Sequence, residues 1–238
     1  LGKDTVVTLE NDLIRVAFTN KGAQVKSVTL KKYATSDSAD VVLAQDNQMG
    51  YTVITADNKT ALTSELYFSP EAPVTAADGS VSIKFILAST VGQSITHIYT
   101  IHPGAYAVDW RIELVGANKL LTGGMLNFKW LAQTSQLERT AAYERQMSNI
   151  CFSEGNEFDY ISSNTDKTFE KPVQWVGLVQ QFFTTTVIYK EGFNSGKIDW
   201  QRKTDSSNGL ATLQAQFQTK LAGANVNMPL SLYYGPND

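Results

Sequence analysis

Apolar positions in this chain recur mostly with a period of two. Val81, Ile83, Phe85 and Leu87 alternate along one stretch, and Val108, Trp110, Ile112 and Leu114 oppose Asp109, Arg111 and Glu113 along another. That alternation is the mark of a strand with one face in a core and the other in water. The same reasoning predicts strands over 6–9, 13–19 and 25–30, with Asn20-Lys21-Gly22-Ala23 as the turn of an opening hairpin. Short strands are expected at 41–43 and 51–55, and further strands at 95–101, 125–131, 150–152 and 158–161. The last group covers 197–202, 211–219 and 226–234, with a polar loop at 204–209. Leu126, Phe128 and Trp130 share one face, as do Leu213, Ala215 and Phe217. More than ten antiparallel strands exceed what one open sheet holds, so the prediction is an all-β fold, a large two-sheet antiparallel β-sandwich with one or two short helices.

Residues 171–190, KPVQWVGLVQQFFTTTVIYK, form the most apolar stretch. Trp175, Leu178, Val179, Phe182 and Phe183 fall at i, i+3, i+4, i+7 and i+8, the spacing of a helical face, and residues 184–188 are β-branched. The spacing predicts a short helix entered at Pro172 and running into a buried strand, with Trp175, Leu178, Val179, Phe182, Phe183 and Trp110 in the core. On this reading Phe182→Ala costs roughly 3–5 kcal/mol. A second short helix or irregular arm is expected within 135–148, where Leu137, Ala141, Ala142 and Arg145 have helical spacing.

At 238 residues with 42% apolar side chains the chain is long enough for one large β domain, 1–238. Its 23 acidic and 20 basic residues are interspersed, which leaves no nucleic-acid footprint and no basic cluster to attract anionic lipid vesicles. The one cysteine, Cys151, excludes an internal disulfide and reads as a buried, inert thiol. His97 and His102 are too few and too poorly spaced for a metal site and read as structural. There is no nucleophile elbow and no phosphate-cradling glycine loop, so no catalytic, cofactor or metal residues are assigned. Glu138, Glu144, Glu154 and Glu157 are the carboxylates that an acid–base site would draw on, and they read as solvated surface.

Two stretches carry a resemblance: WVGLVQQFFTTTVI at 175–188 and the terminal LSLYYGPND at 230–238. Together they resemble the closing half of the large periplasmic domain of YidC-type membrane protein insertases. LENDLIRVAFTNKGAQVKSVTLKKY is similar to the family's first hairpin, and IYTIHPGAYAVDWRIEL to a strand, turn and strand further on; residues 135–171 match poorly. The resemblance implies a galactose-mutarotase-like super-sandwich on the periplasmic side of the bacterial inner membrane, one piece of a longer multi-pass protein. It implies the Sec translocon and its accessory subunits as partners, with nascent membrane proteins handled by the membrane part. Tyr233, Tyr234, Gly235 and Pro236 are then a candidate membrane-proximal boundary, with Leu1 and Asp238 on one face. A carbohydrate epimerase or lyase, or a sugar- or peptide-binding module, is the alternative on the same sandwich, and it needs a histidine facing a carboxylate in a cleft.

Overall fold

The computed structural model describes residues 2–45, 47–203 and 209–237. Its first sheet holds β1 (Val6–Glu10), β2 (Ile14–Thr19), β3 (Gln24–Ala34) and β4 (Asp40–Leu43) in that order. A second sheet is built from β5 (Gln48–Ile54), β6 (Thr60–Leu62), β12 (Met125–Ser135), β15 (Thr165–Phe169), β18 (Ser195–Arg202) and β19 (Gly209–Lys220). The third and largest has ten strands. Along one side it runs through β7 (Ser69–Pro70), β8 (Val74–Thr75), β9 (Val81–Ala88), β10 (Ser94–Ile101) and β11 (Ala107–Val115). Next to β11 come β20 (Asn225–Pro236), β17 (Phe183–Phe193), β16 (Val173–Val179), β13 (Asn149–Glu154) and β14 (Glu157–Ile161). The pairings are antiparallel. The α-helices among the described residues are α1 (Ala117–Leu120) and α2 (Ala141–Met147), with short 3-10 turns at Thr63–Glu65 and Thr122–Gly124.

Three sheets replace the two expected from strand count. The layer facing the ten-stranded sheet is divided because β3 meets β5 through a side chain: Gln24 Oε1 accepts the Met49 N–H at 2.7 Å, where a ladder would use a backbone carbonyl. Between the layers, Phe193 of β17 stacks on Phe128 at 5.6 Å and on Phe217 at 4.8 Å, and Trp110 approaches Phe128 at 6.0 Å. These are inward positions of alternating strands, so period-two patterning delivers them to one core. The polar loop expected at 204–209 lies outside the described residues, apart from Gly209 in β19.

The opening hairpin mixes its faces for a specific reason. Ala17 pairs with Ser27 and Phe18 with Val25, so Lys26 is the extra residue of a bulge. The bulge lets Val25, Val28 and Leu30 all point inward, which strict alternation forbids. At the turn, Gly22 and Ala23 adopt φ of 79° and 46°, and that kink aims the Ala23 carbonyl into the core. His97 Nδ1 lies 2.9 Å from that oxygen and the Tyr99 hydroxyl donates to it at 2.7 Å. A carbonyl only accepts, so Nδ1 carries the proton and Nε2 accepts the Tyr51 hydroxyl at 2.8 Å. One fully buried imidazole thus joins β10, the β2–β3 turn and β5, a strand or turn from each sheet.

The helix expected around Trp175 is absent. Residues 173–179 form β16, the three residues 180–182 make the turn, and β17 begins at Phe183. A register shift between Val173 and Trp175 puts Val173 and Val176 on the same face, whereas Trp175 and Leu178, three apart, lie on opposite faces of the strand. Gly177 belongs to the strand: a Cβ there would meet Thr186 Oγ1 at 2.8 Å. Leu178, Phe183 and Trp110 are buried, whereas Trp175 and Val179 are half-buried on the outer face and Phe182 is exposed at the turn. The expected large cost of truncating Phe182 therefore passes to its neighbour. In urea denaturation Phe183→Ala loses about 3–5 kcal/mol while Phe182→Ala stays within about 0.5 kcal/mol of the parent.

Burial depresses the His97 imidazole to about 4, partly opposed by its bond to Ala23. The unfolded chain takes up a proton near pH 6.5 and the folded chain only near 4, so folding loses stability as pH falls through that window and is unaffected above it. The loss is about 3 kcal/mol at 1.36 kcal/mol per unit. Chemical denaturation between pH 7 and 4 should show this slope, and His97→Gln should flatten it.

Candidate functional site

The inward faces of the ten-stranded sheet are spent on the core, and its outer face is left for contact. A cleft of about 1010 Å³ lies there. Its floor follows the register: Ser82, Thr100, Asp109 and Ser231 form one cross-strand row, ending at Ile188. Lys84, Ile98, Arg111 and Pro229 form the next. The Ser82 and Thr100 hydroxyls are 2.8 Å apart, and Ile98 is a buried apolar spot among charged neighbours. Pro229 shapes one wall. It has no N–H to donate, and the β17–β20 ladder ends two residues away, at Ile188–Ser231, leaving Lys190 and Glu191 beside the opening. The opposite wall is the segment around Glu71, held by its N–H on the Lys84 carbonyl at 2.8 Å.

His102 and Asp109 meet at the cleft, Nε2 to Oδ2 at 2.9 Å, both well exposed. The structure therefore brings His102, which sequence reading took as a structural side chain with satisfied partners, to a carboxylate. The pair is bonded to itself along one wall, whereas ring opening of a sugar needs an acid and a base on opposite sides of a bound ring. Glu191 is engaged by the Tyr189 hydroxyl at 2.9 Å. The cleft offers hydroxyls, mixed charges and an apolar spot at Ile98, a surface for holding a ligand or a peptide. Among the described residues no group of three or more His, Cys, Asp or Glu side chains is placed to hold a metal ion.

The four candidate carboxylates do not converge. Glu144 sits on α2 and is buried, contrary to its reading as solvated surface. Its carboxylate accepts the N–H groups of Leu137 and Glu138, both at 3.0 Å, and Gln180 Nε2 at 3.1 Å, and burial pushes its carboxyl up. Glu154 pairs with Lys167 at 2.9 Å and Glu157 with Lys171 at 3.6 Å, at the far end of β13 from α2. Cys151 is half-buried on the outer face, facing Gly177 and Tyr160. Beside it the aromatic rings of Trp175 and Phe158 lie 6.0 Å apart, Phe158 exposed on the free edge strand β14.

The boundary residues Tyr233, Tyr234, Gly235 and Pro236 complete β20. Tyr234 is fully buried, which removes it as a wetted interface residue. Tyr233 donates to the Pro236 carbonyl at 2.9 Å, and Gly235 is required because a Cβ would strike the Tyr106 and Tyr233 rings at 2.8 Å. Leu1 and Asp238 lie outside the described residues. Their neighbours are separated: the Lys3 carbonyl is bonded by Asn20 near the start of β3, and Asn237 is tied to the β16–β17 turn, close to Tyr33 at the end of β3. Along β3 that is about 30 Å. Among the described residues no helix is long and apolar enough to cross a membrane.

The layered antiparallel sandwich is a fold this chain shares with galactose-mutarotase-like proteins. The chain superimposes on a galactose mutarotase related enzyme from Lactobacillus acidophilus with a TM-score of 0.60 at 11% identity, covering 97% of both chains. A putative aldose 1-epimerase from Escherichia coli K12 gives 0.56 at 8% identity, covering 98% of this chain and all of the other. Such likenesses establish the fold alone. The sequence is more specific: residues 6–238 match the model of the YidC periplasmic domain, and the chain belongs to that family. It is 26% identical over 250 residues to the membrane protein insertase YidC of Parabacteroides distasonis, and 28% over 258 residues to that of Cytophaga hutchinsonii. All of this chain is covered but only 38% and 41% of those relatives, so it spans about two fifths of their length.

Burial pushes the Cys151 thiol up, which lowers its thiolate fraction at neutral pH. Native protein should therefore alkylate at least about tenfold more slowly at pH 7.5 than urea-unfolded protein. Equal rates, followed by mass spectrometry, contradict this.

Proposed function

We propose that the chain is a single interaction and scaffolding domain on the periplasmic face of the inner membrane, part of a multi-pass insertase. It assists insertion and folding of membrane proteins, alone or with the Sec translocon and its accessory subunits. The observation that carries this reading is the family match across 6–238, which leaves three fifths of the relatives' length for a membrane part. The open sheet face and the free edge strand β14 are the surfaces that suit such a role, since neither is consumed by the core. In detergent extracts, deleting the domain from the full insertase should reduce co-purification of translocon subunits several-fold while the remainder stays in the membrane fraction. Unchanged co-purification overturns the scaffolding role.

A second reading, a sugar-converting enzyme, is favoured by one observation, the His102–Asp109 pair in a cleft on a mutarotase-like sheet. Polarimetry on freshly dissolved glucose and galactose decides it. The expected result is interconversion at the buffer rate, and a rate well above buffer that is lost in His102→Ala overturns the interaction reading.

A further inference from the structure

Four of the exposed large apolar side chains, Phe182, Tyr33, Tyr143 and Met147, are carried by elements that meet at one end of the sandwich. The Gln180 N–H bonds to the Phe183 carbonyl at 2.8 Å and closes the β16–β17 turn, with Phe182 at its tip and 51% exposed. Phe183, next in sequence, turns inward and takes the edge of Tyr33, 37% exposed, at 5.2 Å. On the other side of the turn stands α2, fixed by the buried Glu144 carboxylate on Gln180, and it presents Tyr143 at 50% and Met147 at 43% exposure. The end is rigidly made: Gln180 Nε2 also donates to the Ser135 carbonyl at 2.9 Å. Asn237 bonds to the carbonyls of Gln180 at 2.7 Å and Phe182 at 3.0 Å. The last described residue is thus held at the same turn that carries Phe182.

We propose that this end rests on the lipid headgroup layer, with Phe182 as the deepest contact and Tyr33, Tyr143 and Met147 around it. The proposal builds on the reading of the chain as part of a membrane insertase. The apolar groups are carried by a hairpin tip, a helix and the end of a strand, and Asn237, bonded at that tip, brings the chain's last described residue to the same end. Tyrosines suit that depth because the ring enters acyl chains while the hydroxyl stays hydrated. The chain's net charge of −3, without a basic cluster, gives no electrostatic attraction, so contact depends on tethering that raises the effective concentration at the surface. A segment leading to the N-terminal end, near Lys3, must climb about 30 Å, which extended chain covers in roughly nine residues.

The test uses the full insertase containing this domain, Cys151→Ser, in vesicles of phosphatidylethanolamine and phosphatidylglycerol. Phe182→Cys or Val91→Cys carries an environment-sensitive nitrobenzoxadiazole label. Val91 is 66% exposed in the β9–β10 turn at the opposite end and controls for random collision. Spin-labelled lipid is expected to quench the label at 182 at least about twofold more than at 91, with a blue-shifted emission. Equal quenching in vesicles that still insert a substrate protein overturns lipid docking and leaves the functional reading standing. A photo-crosslinker at 182 that captures protein in place of lipid also overturns it.

Discussion

The structure depends on one buried imidazole. His97 donates to a carbonyl that the β2–β3 turn drives inward and accepts a hydroxyl from β5, and its own strand lies in the middle of the ten-stranded sheet. Three sheets that share no backbone ladder with one another are held here by hydrogen bonds whose partners are all removed from water. In such surroundings an unmade bond costs about 1–3 kcal/mol, so each of Ala23, Tyr51 and Tyr99 fixes the others. The neutral imidazole is the form that fits, because one nitrogen must accept while the other donates.

With the sheets fixed in this way, the largest one is left with two unlike faces. Its inner residues, among them Phe85, Trp110 and Phe193, meet the aromatic side chains of the opposite layer. Its outer residues are charged or hydroxylated around Ile98. Pro229 then decides where the cleft ends, by stopping a ladder that its neighbours would otherwise continue. At the other extreme of the same sheet the β16–β17 turn is so short that two adjacent phenylalanines must part, Phe183 to the core and Phe182 to the surroundings.

Much of this was legible in the sequence. The half-buried strand around Trp110, the inward sets on β12 and β19 and the glycine-containing hairpin turn follow from period two and from φ preferences, which are local. The family resemblance carried by 175–188 and 230–238 was legible too. The stretch around Trp175 was misread because apolar residues on both faces of β16 and at its turn fall three and four apart, which imitates helical spacing.

Sequence by itself determined which residues alternate, hence the all-β class and the family. Only the tertiary structure decided that Glu144 is buried, that His102 meets Asp109, that the facing layer is split and that Phe182 is exposed. Each of those depends on groups distant in sequence: Glu144 needs the carboxamide of Gln180, 36 residues on, and His97 needs a carbonyl 74 residues back. Local pattern records the periodicity of a segment, whereas burial and pairing are set by what the rest of the chain places against it.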